Sequence, residues 1–286
     1  MKIAISAEST ADLSKELIEK YEVSILPYEI TLGDKTFYDG ELTTQEMFDY
    51  VDKTGVLPKT TAINSFRYTE YFEDLLKTHD AVIHISLSSG ITSSTQNAIN
   101  AASEIKNCYV IDSKSLSSGI ALLVIYAKVL ADKGLDPKTI YEKVSARVPY
   151  VQASFIVERL DYLHKGGRCS SVALLGANLL KIRPRIVVKN DDGKMISDKK
   201  YRGKMGQVIE KYCNETLVEF GNHDTSIAFV TYTTATEEMI TAAKTALDNA
   251  GFTTVIECKA GGTIASHCGA NTLGILFFND GGTTLE

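Results

Sequence analysis

Short apolar runs that alternate with helical ones constrain this chain more than any other feature of its sequence. In the first half, "KIAIS" is followed by "STADLSKELIEKY", "AVIHIS" by "SSTQNAINAASEI", and "CYVIDS" by a long helical run from about Leu116 to Lys133. Short apolar strands separated by helices are buried on both faces, and a sheet covered in that way is parallel, its strands joined by helical crossovers. This predicts an α/β domain whose parallel sheet carries helices on both faces. "VSILPYEITL" reads as further strand and "ITLGDKTFYDGE" as a hairpin in which Gly33-Asp34 supplies the tight turn. The most apolar segment, "GIALLVIYAKVLA", carries Lys128 and falls short of the ~20 residues that a membrane span requires, so it reads as a buried helix.

From about Ser154 the texture changes. "ASFIVERLDYLHKGGR" predicts a strand and a short helix, "SSVALLGANLLKI" a helix, and "RPRIVVKNDDGKMISDKK" a hairpin turning at Asp192-Gly193. Helices near Met205–Phe220 and Glu237–Ala250 alternate with the strands "SIAFVTYT", "TTVIECKAG" and "TLGILFFN". The 286 residues accommodate two domains at roughly 100–200 residues each. The expected division is an α/β domain over 1–153 and an α+β domain over 154–286.

Composition excludes several functions. A net charge of −6 with no basic block gives no footprint for nucleic acid. Cys108, Cys169, Cys213, Cys258 and Cys268 are odd in number and form no C-x-x-C pair, which argues against a zinc site or a secreted disulfide framework and for a reduced cytoplasm. "MKIAISAEST" turns polar too early for a signal peptide. No metal site and no cofactor are expected.

Chemistry gathers at four places. The first is "VIHISLSSGITSSTQNAINAASEI", where hydroxyls cluster between an apolar strand and a helix. In a parallel sheet, ligands bind beyond the carboxyl ends of the strands. Ser93-x-x-Gln96 also fits a capping box, which would account for Ser93 but not for Thr92, Ser94 and Thr95 together. Free helix amides favour an anion there. One glycine and no lysine do not make a nucleotide P-loop, and no G-x-S-x-G elbow is present. What remains is a set of neutral hydroxyls and amides suited to a carboxylate.

The second place is "LPKTTAINSF", where Thr60-Thr61 are expected in a loop before a helix capped by Asn64 or Ser65, with Thr61 the functional candidate. The third is "AGGTIASHCGANTLGILF", which puts His267 in a glycine-rich loop ahead of a strand, whereas His84 sits in an apolar strand as a core histidine. The fourth is Gly166-Gly167-Arg168. It reads either as one helix's C-cap followed by the next one's N-cap, or, with Arg183, Arg185 and Arg202, as a basic patch for an acidic partner or phosphates.

These motifs, in this order, resemble the DegV family of bacterial fatty-acid-binding proteins over nearly the whole chain. The family's opening Asp-Ser-Thr-x-Asp-Leu is mirrored by "ESTADL", with Glu8 for the aspartate, and its Pro-x-Thr-Ser-Gln-Pro loop by "PKTTAI". Its Leu-Ser-Gly-Thr loop is mirrored by "ITSS", its Gly-Gly-Arg by Gly166-Gly167-Arg168, and its His-x-Gly-Pro-Gly by "HCGAN". Thr61 and Thr92 stand for serines, Ser93 for a glycine, and Ala270-Asn271 for Pro-Gly. The resemblance implies a long-chain fatty acid held between the two domains, its carboxylate on Thr61, Thr92 and Ser93 with His267 close by. It also implies a non-catalytic carrier that presents the acid to a separate ATP-binding fatty acid kinase subunit, for which Arg168 and Arg202 are the expected docking residues.

Physical chemistry agrees with a carrier. Some fifteen buried methylenes are worth about 12 kcal/mol at ~0.8 kcal/mol each, against about 1 kcal/mol for a neutral hydrogen bond, so the tail supplies affinity and the hydroxyls orientation. The alternative is an enzyme acting on a carboxylic or acyl substrate, with His267 as base and Thr92 or Ser93 as nucleophile. That reading requires a third group to orient the histidine.

Overall fold

The computed structural model describes residues 1–169, 171 and 182–285. The expected helix "SSVALLGANLLKI" falls almost wholly outside the described residues. In chain order the first half contains β1 (Ile3–Glu8), α1 (Lys15–Lys20), β2 (Val23–Leu26), β3 (Glu29–Leu32), β4 (Lys35–Tyr38), α2 (Thr44–Thr54) and β5 (Lys59–Thr61). It continues with α3 (Ser65–Leu76), β6 (Ala81–Ser86), α4 (Ser94–Ser103), β7 (Cys108–Asp112), α5 (Ser118–Asp132) and α6 (Pro137–Arg147). The second half contains β8 (Val151–Ile156), α7 (Asp161–Gly166), β9 (Arg183–Val188), β10 (Met195–Tyr201), α8 (Met205–Glu219) and β11 (Ala228–Tyr232). It ends with α9 (Glu237–Asn249), β12 (Val255–Lys259), α10 (Gly262–Cys268) and β13 (Leu273–Phe278).

The parallel sheet expected from the first half is present, in the order β2-β1-β6-β7 and flanked by helices. Every residue of β6 is buried, as its unbroken apolar run requires of a central strand. A second sheet runs β10-β9-β8-β13-β11-β12 and is antiparallel except for the β11–β12 pair. Helix α5 lies between the two sheets, packed on β1 and β6 and on β8, β11 and β13. A helix so enclosed has little solvent face, which is why "GIALLVIYAKVLA" is apolar but for Lys128, whose ammonium reaches out to Glu22 and Asp132. Helices α8 and α9 cover the opposite face of the second sheet around Val230, Ile275 and Phe277. No helix among the described residues is long and apolar enough to cross a membrane.

Three local features differ from the sequence-based expectation. "VSILPYEITL" breaks at Pro27-Tyr28 into β2, which joins the parallel sheet, and β3, which leaves it for a small antiparallel sheet ordered β4-β3-β5. Thr60 and Thr61, expected in a loop, therefore lie in a strand, paired with Ile30 and Glu29. Strand β8 begins at Val151 and pairs with β13 from its first residue, so the 153/154 division falls within one strand.

Candidate functional site

The hydroxyl-rich segment is a strand-to-helix connection at the carboxyl end of β6, and a buried carboxylate holds it from beneath. Glu8, the last residue of β1, is fully buried. Its Oε1 accepts from Tyr68 Oη at 2.6 Å, Ser86 Oγ at 2.6 Å and His84 Nε2 at 3.1 Å, and its Oε2 from Leu87 N–H at 3.0 Å. Burial by itself would raise this carboxyl's pKa, but the His84 charge and the hydrogen bonds from His84, Ser86 and Tyr68 outweigh it and hold the group below its ordinary 4.5. His84 is the satisfied core histidine its strand suggests, with Nδ1 on Ser6 Oγ at 2.9 Å. Thr95 Oγ1 donates to the Leu87 carbonyl, tying the first turn of α4 to the strand end. Thr92 Oγ1 accepts from Ser94 N–H and donates to Ser94 Oγ, both at 3.1 Å, and Ser94 Oγ accepts from Ile63 N–H at 2.9 Å.

The capping box that Ser93-x-x-Gln96 also fits does not form. Ser93 occupies the N-cap position in a helical backbone conformation (φ −85°, ψ −9°) and its side chain caps nothing, while Gln96 donates to Asn100. A box requires an extended N-cap residue, from which the side chain can reach back over the first turn. The Ser93 hydroxyl is left to the cavity described next.

This cavity, about 260 Å³, opens between the two halves of the chain. One part of its wall is polar, with Thr60, Thr92, Ser93, Arg168 and His267, and another is aliphatic, with Leu87, Ile91, Leu116, Met195 and Ile264. Strand pleating decides which threonine of "KTT" takes part: Thr60 and Ala62 line the cavity, whereas Thr61 is exposed and does not. Thr60 Oγ1 lies 2.9 Å from His267 Nε2.

His267 is in a helix rather than in the expected loop. The glycines before it open α10, whose first amides find acceptors across the molecule: Gly261 N–H on Asp12 Oδ1 at 2.8 Å, Gly262 N–H on Asp39 Oδ1 at 2.8 Å and Thr263 N–H on Asp39 Oδ2 at 3.2 Å. Crowding, not conformation, favours glycine at 262, because a Cβ there would lie 2.6 Å from Ile30 Cδ1. Burial pushes the Asp12 carboxyl up to about 8, against the hydrogen bonds from Ser117 and Gly261 that favour its charged form. His267 is driven the other way for a base, down to about 4, by burial and then by the positive charge of Arg168. Among the described residues its Nδ1 finds no hydrogen-bond partner, and neither does the buried Thr263 Oγ1 on the same face of α10.

The Gly-Gly-Arg motif serves this histidine directly. A Cβ on Gly166 would lie 2.6 Å from His267 Nδ1, so only glycine lets α7 pack against the ring. Gly167 closes α7 in the left-handed conformation (φ +69°), where glycine carries no steric cost. Arg168 then turns back, its guanidinium donating to the Gly166 carbonyl at 2.6 Å, and lines the cavity while remaining exposed.

The four arginines do not form one patch. Arg185 is fully buried between Asp198 and Glu219, Arg183 pairs with Glu158 at 2.8 Å, and Arg202 lies exposed in a separate groove with Lys199, Lys200 and Lys211. Of the residues singled out from sequence, the structure brings together Thr92, Ser93, His267 and Arg168, and leaves Thr61 and Arg202 outside. Sequence reasoning missed Thr60, Tyr28 and Thr263. The alternation of Thr60 with Ala62 could have found the first, but nothing local marks Tyr28, which reaches the cavity only because β3 leaves the parallel sheet. Among the described residues no group of acidic, histidine or cysteine side chains could hold a metal ion.

The model of the family described as uncharacterised DegV proteins matches residues 2–280. The chain belongs to the DegV family. A DegV domain-containing protein of Caldanaerobacter subterraneus is 30% identical over 280 residues, covering 96% of this chain and 98% of that one. Among solved structures, DegV from Bacillus subtilis, a fatty acid binding protein, superposes with a TM-score of 0.84 at 26% identity, over 98% of this chain and 99% of that one. A stearic-acid-binding protein from Eubacterium ventriosum gives a TM-score of 0.84 at 26% identity, over 98% of each chain. A DegV family protein of Thermus thermophilus shares the fold, with a TM-score of 0.87 at 23% identity over 98% of this chain and 100% of that one. The α/β architecture with a second, sheet-rich domain is thus the DegV fold.

Proposed function

We propose that this DegV-family chain is a carrier that binds a long-chain fatty acid and presents it to a separate ATP-dependent kinase subunit for conversion to acyl phosphate. The observation that carries the reading is the division of the cavity wall into a hydroxyl, histidine and arginine part and an aliphatic part, the chemistry of a carboxylate with a hydrocarbon tail. Thr60, Thr92 and Ser93 offer hydroxyls to the head group, and Arg168 offsets the carboxylate's charge. The fatty acids bound by the Bacillus subtilis and Eubacterium ventriosum relatives support the same ligand class. In this reading Arg202, with its neighbouring lysines, belongs to the docking face and Arg168 to the site.

Arrangement of the histidine favours binding over catalysis. His267 Nε2 meets Thr60, not Thr92 or Ser93, and no carboxylate among the described residues orients its Nδ1. A base–nucleophile pair lacking that third group has neither a fixed tautomer nor a counter-charge.

Lipid extracted from the purified chain and analysed by mass spectrometry tests the carrier reading. The expected result is stoichiometric long-chain fatty acid, or uptake of added palmitate or oleate. Absence of both sinks the reading. The presentation step is tested with ATP, magnesium and fatty acid: acyl phosphate should form only when a kinase subunit is added, and its formation by this chain alone would make the protein an enzyme.

A further inference from the structure

The head-group cavity adjoins a smaller inner pocket of about 20 Å³, the two sharing Leu116, Ile264 and Cys268 as a common wall. The face of the second sheet that turns toward α5 and α10 forms its floor, with Phe155, Thr231, Gly274 and Leu276. Five residues around this pocket carry hydroxyls, yet each hydroxyl is committed elsewhere, that of Tyr232 to Glu257 Oε1 at 2.6 Å. Ser117 Oγ donates to Asp12 Oδ2 at 2.5 Å, Thr231 Oγ1 pairs with Ser118 Oγ at 2.5 Å, Thr233 Oγ1 donates to the Gly269 carbonyl at 2.6 Å, and Thr272 Oγ1 to the Cys268 carbonyl at 3.0 Å. What they leave for a ligand is short hydrocarbon, and Gly274 lets the floor close up, because a Cβ there would lie 2.4 Å from the Ser154 carbonyl oxygen and 2.8 Å from Phe155 Cβ. The hydrocarbon path from the first cavity therefore continues inward. Beyond the inner pocket lies a wide solvent cleft of about 680 Å³, and Thr233 is one of two consecutive residues that border both. The other is Tyr232, whose ring turns to the opposite face of the sheet, against α8 and α9.

We infer that Thr233 is the end stop of the acyl tunnel and sets the longest chain this protein holds tightly. The inference rests on the fatty-acid reading above and adds to it a chain-length limit with one named residue. A tail that reaches Thr233 has buried all its methylenes, and one carbon more must displace the threonine or remain unaccommodated. Shortening this side chain opens the pocket toward the cleft.

Equilibrium binding of saturated fatty acids from twelve to twenty carbons, odd lengths included, to wild type, Thr233→Ala and Thr233→Val tests this. In wild type, affinity should rise about fourfold per added methylene up to a maximum and then fall. Thr233→Ala should move the maximum at least one carbon longer, with a gain of about fourfold or more for the first chain beyond the wild-type limit. Thr233→Val keeps the bulk and loses only the bonds to Gly269 and Thr272, so its maximum should stay in place. An unchanged maximum in Thr233→Ala, or an equal shift in Thr233→Val, would overturn the inference while leaving the carrier reading intact. Wild type that binds no chain of any length would remove the carrier reading and the inference with it.

Discussion

Replacing Glu8 by glutamine tests the electrostatic footing of the site. The carboxylate receives four hydrogen bonds at full burial, three on Oε1 and one on Oε2. A glutamine keeps one oxygen and sets an NH₂ group against a donor. In the orientation that disturbs least, this group faces Leu87 N–H and leaves that amide unpaired at the base of the hydroxyl loop. An orphaned buried donor costs about 1–3 kcal/mol. At roughly 2–4 °C per kcal/mol, the melting temperature should drop by about 2–12 °C. The pH dependence has a definite sign. Glu8 is held below its ordinary 4.5 in the folded chain, so the stability it contributes is complete above about that pH and is lost as pH falls through the lower folded value. The gap in melting temperature between wild type and Glu8→Gln, followed by circular dichroism, should therefore be widest near pH 7 and close in acid. A variant that melts with wild type at pH 7, or a gap that widens in acid, would refute an ionised, paired Glu8.

Three further outcomes follow from the geometry. The His267 ring, followed by NMR, should titrate near 4 instead of its ordinary 6.5; its contribution to stability is present above 6.5 and lost as pH falls toward 4, and Arg168→Ala or a bound carboxylate should move the titration upward. A ring titrating at 6 or above would contradict its burial beside Arg168. Gly166→Ala forces a methyl against His267 Nδ1 and should cost about 1–3 kcal/mol while weakening fatty-acid binding through loss of the Thr60 contact; unchanged stability and binding would show that α7 does not press on the ring. Thr60→Val should weaken binding by about 1–3 kcal/mol, and Thr61→Val should leave it unaltered; the reverse order would return the head group to Thr61.

Much of the architecture was legible in the chain itself, because the signals for it are local. Apolar runs such as "AVIHIS" have nowhere to go but the middle of a covered sheet, and α5 is apolar over most of its surface because two sheets enclose it. The turn at Asp192-Gly193 and the burial of His84 follow from residue types and spacing, whereas the gathering of Thr92, Ser93 and His267 was legible only through the resemblance to the DegV family. Tertiary structure alone decided the rest, because it depends on atoms far apart in sequence. That "VSILPYEITL" divides between two sheets is settled by pairing with β5, thirty residues on, and this pairing turns Thr60 inward and Thr61 out. The glycines before His267 read as loop because the carboxylates that accept their amides, Asp12 and Asp39, lie more than two hundred residues away. Arg185 and Arg168 were equivalent as letters. Burial between Asp198 and Glu219 makes the first structural, and the turn after Gly167 brings the second to the cavity. A charge takes its role from what surrounds it, and sequence spacing does not contain that information.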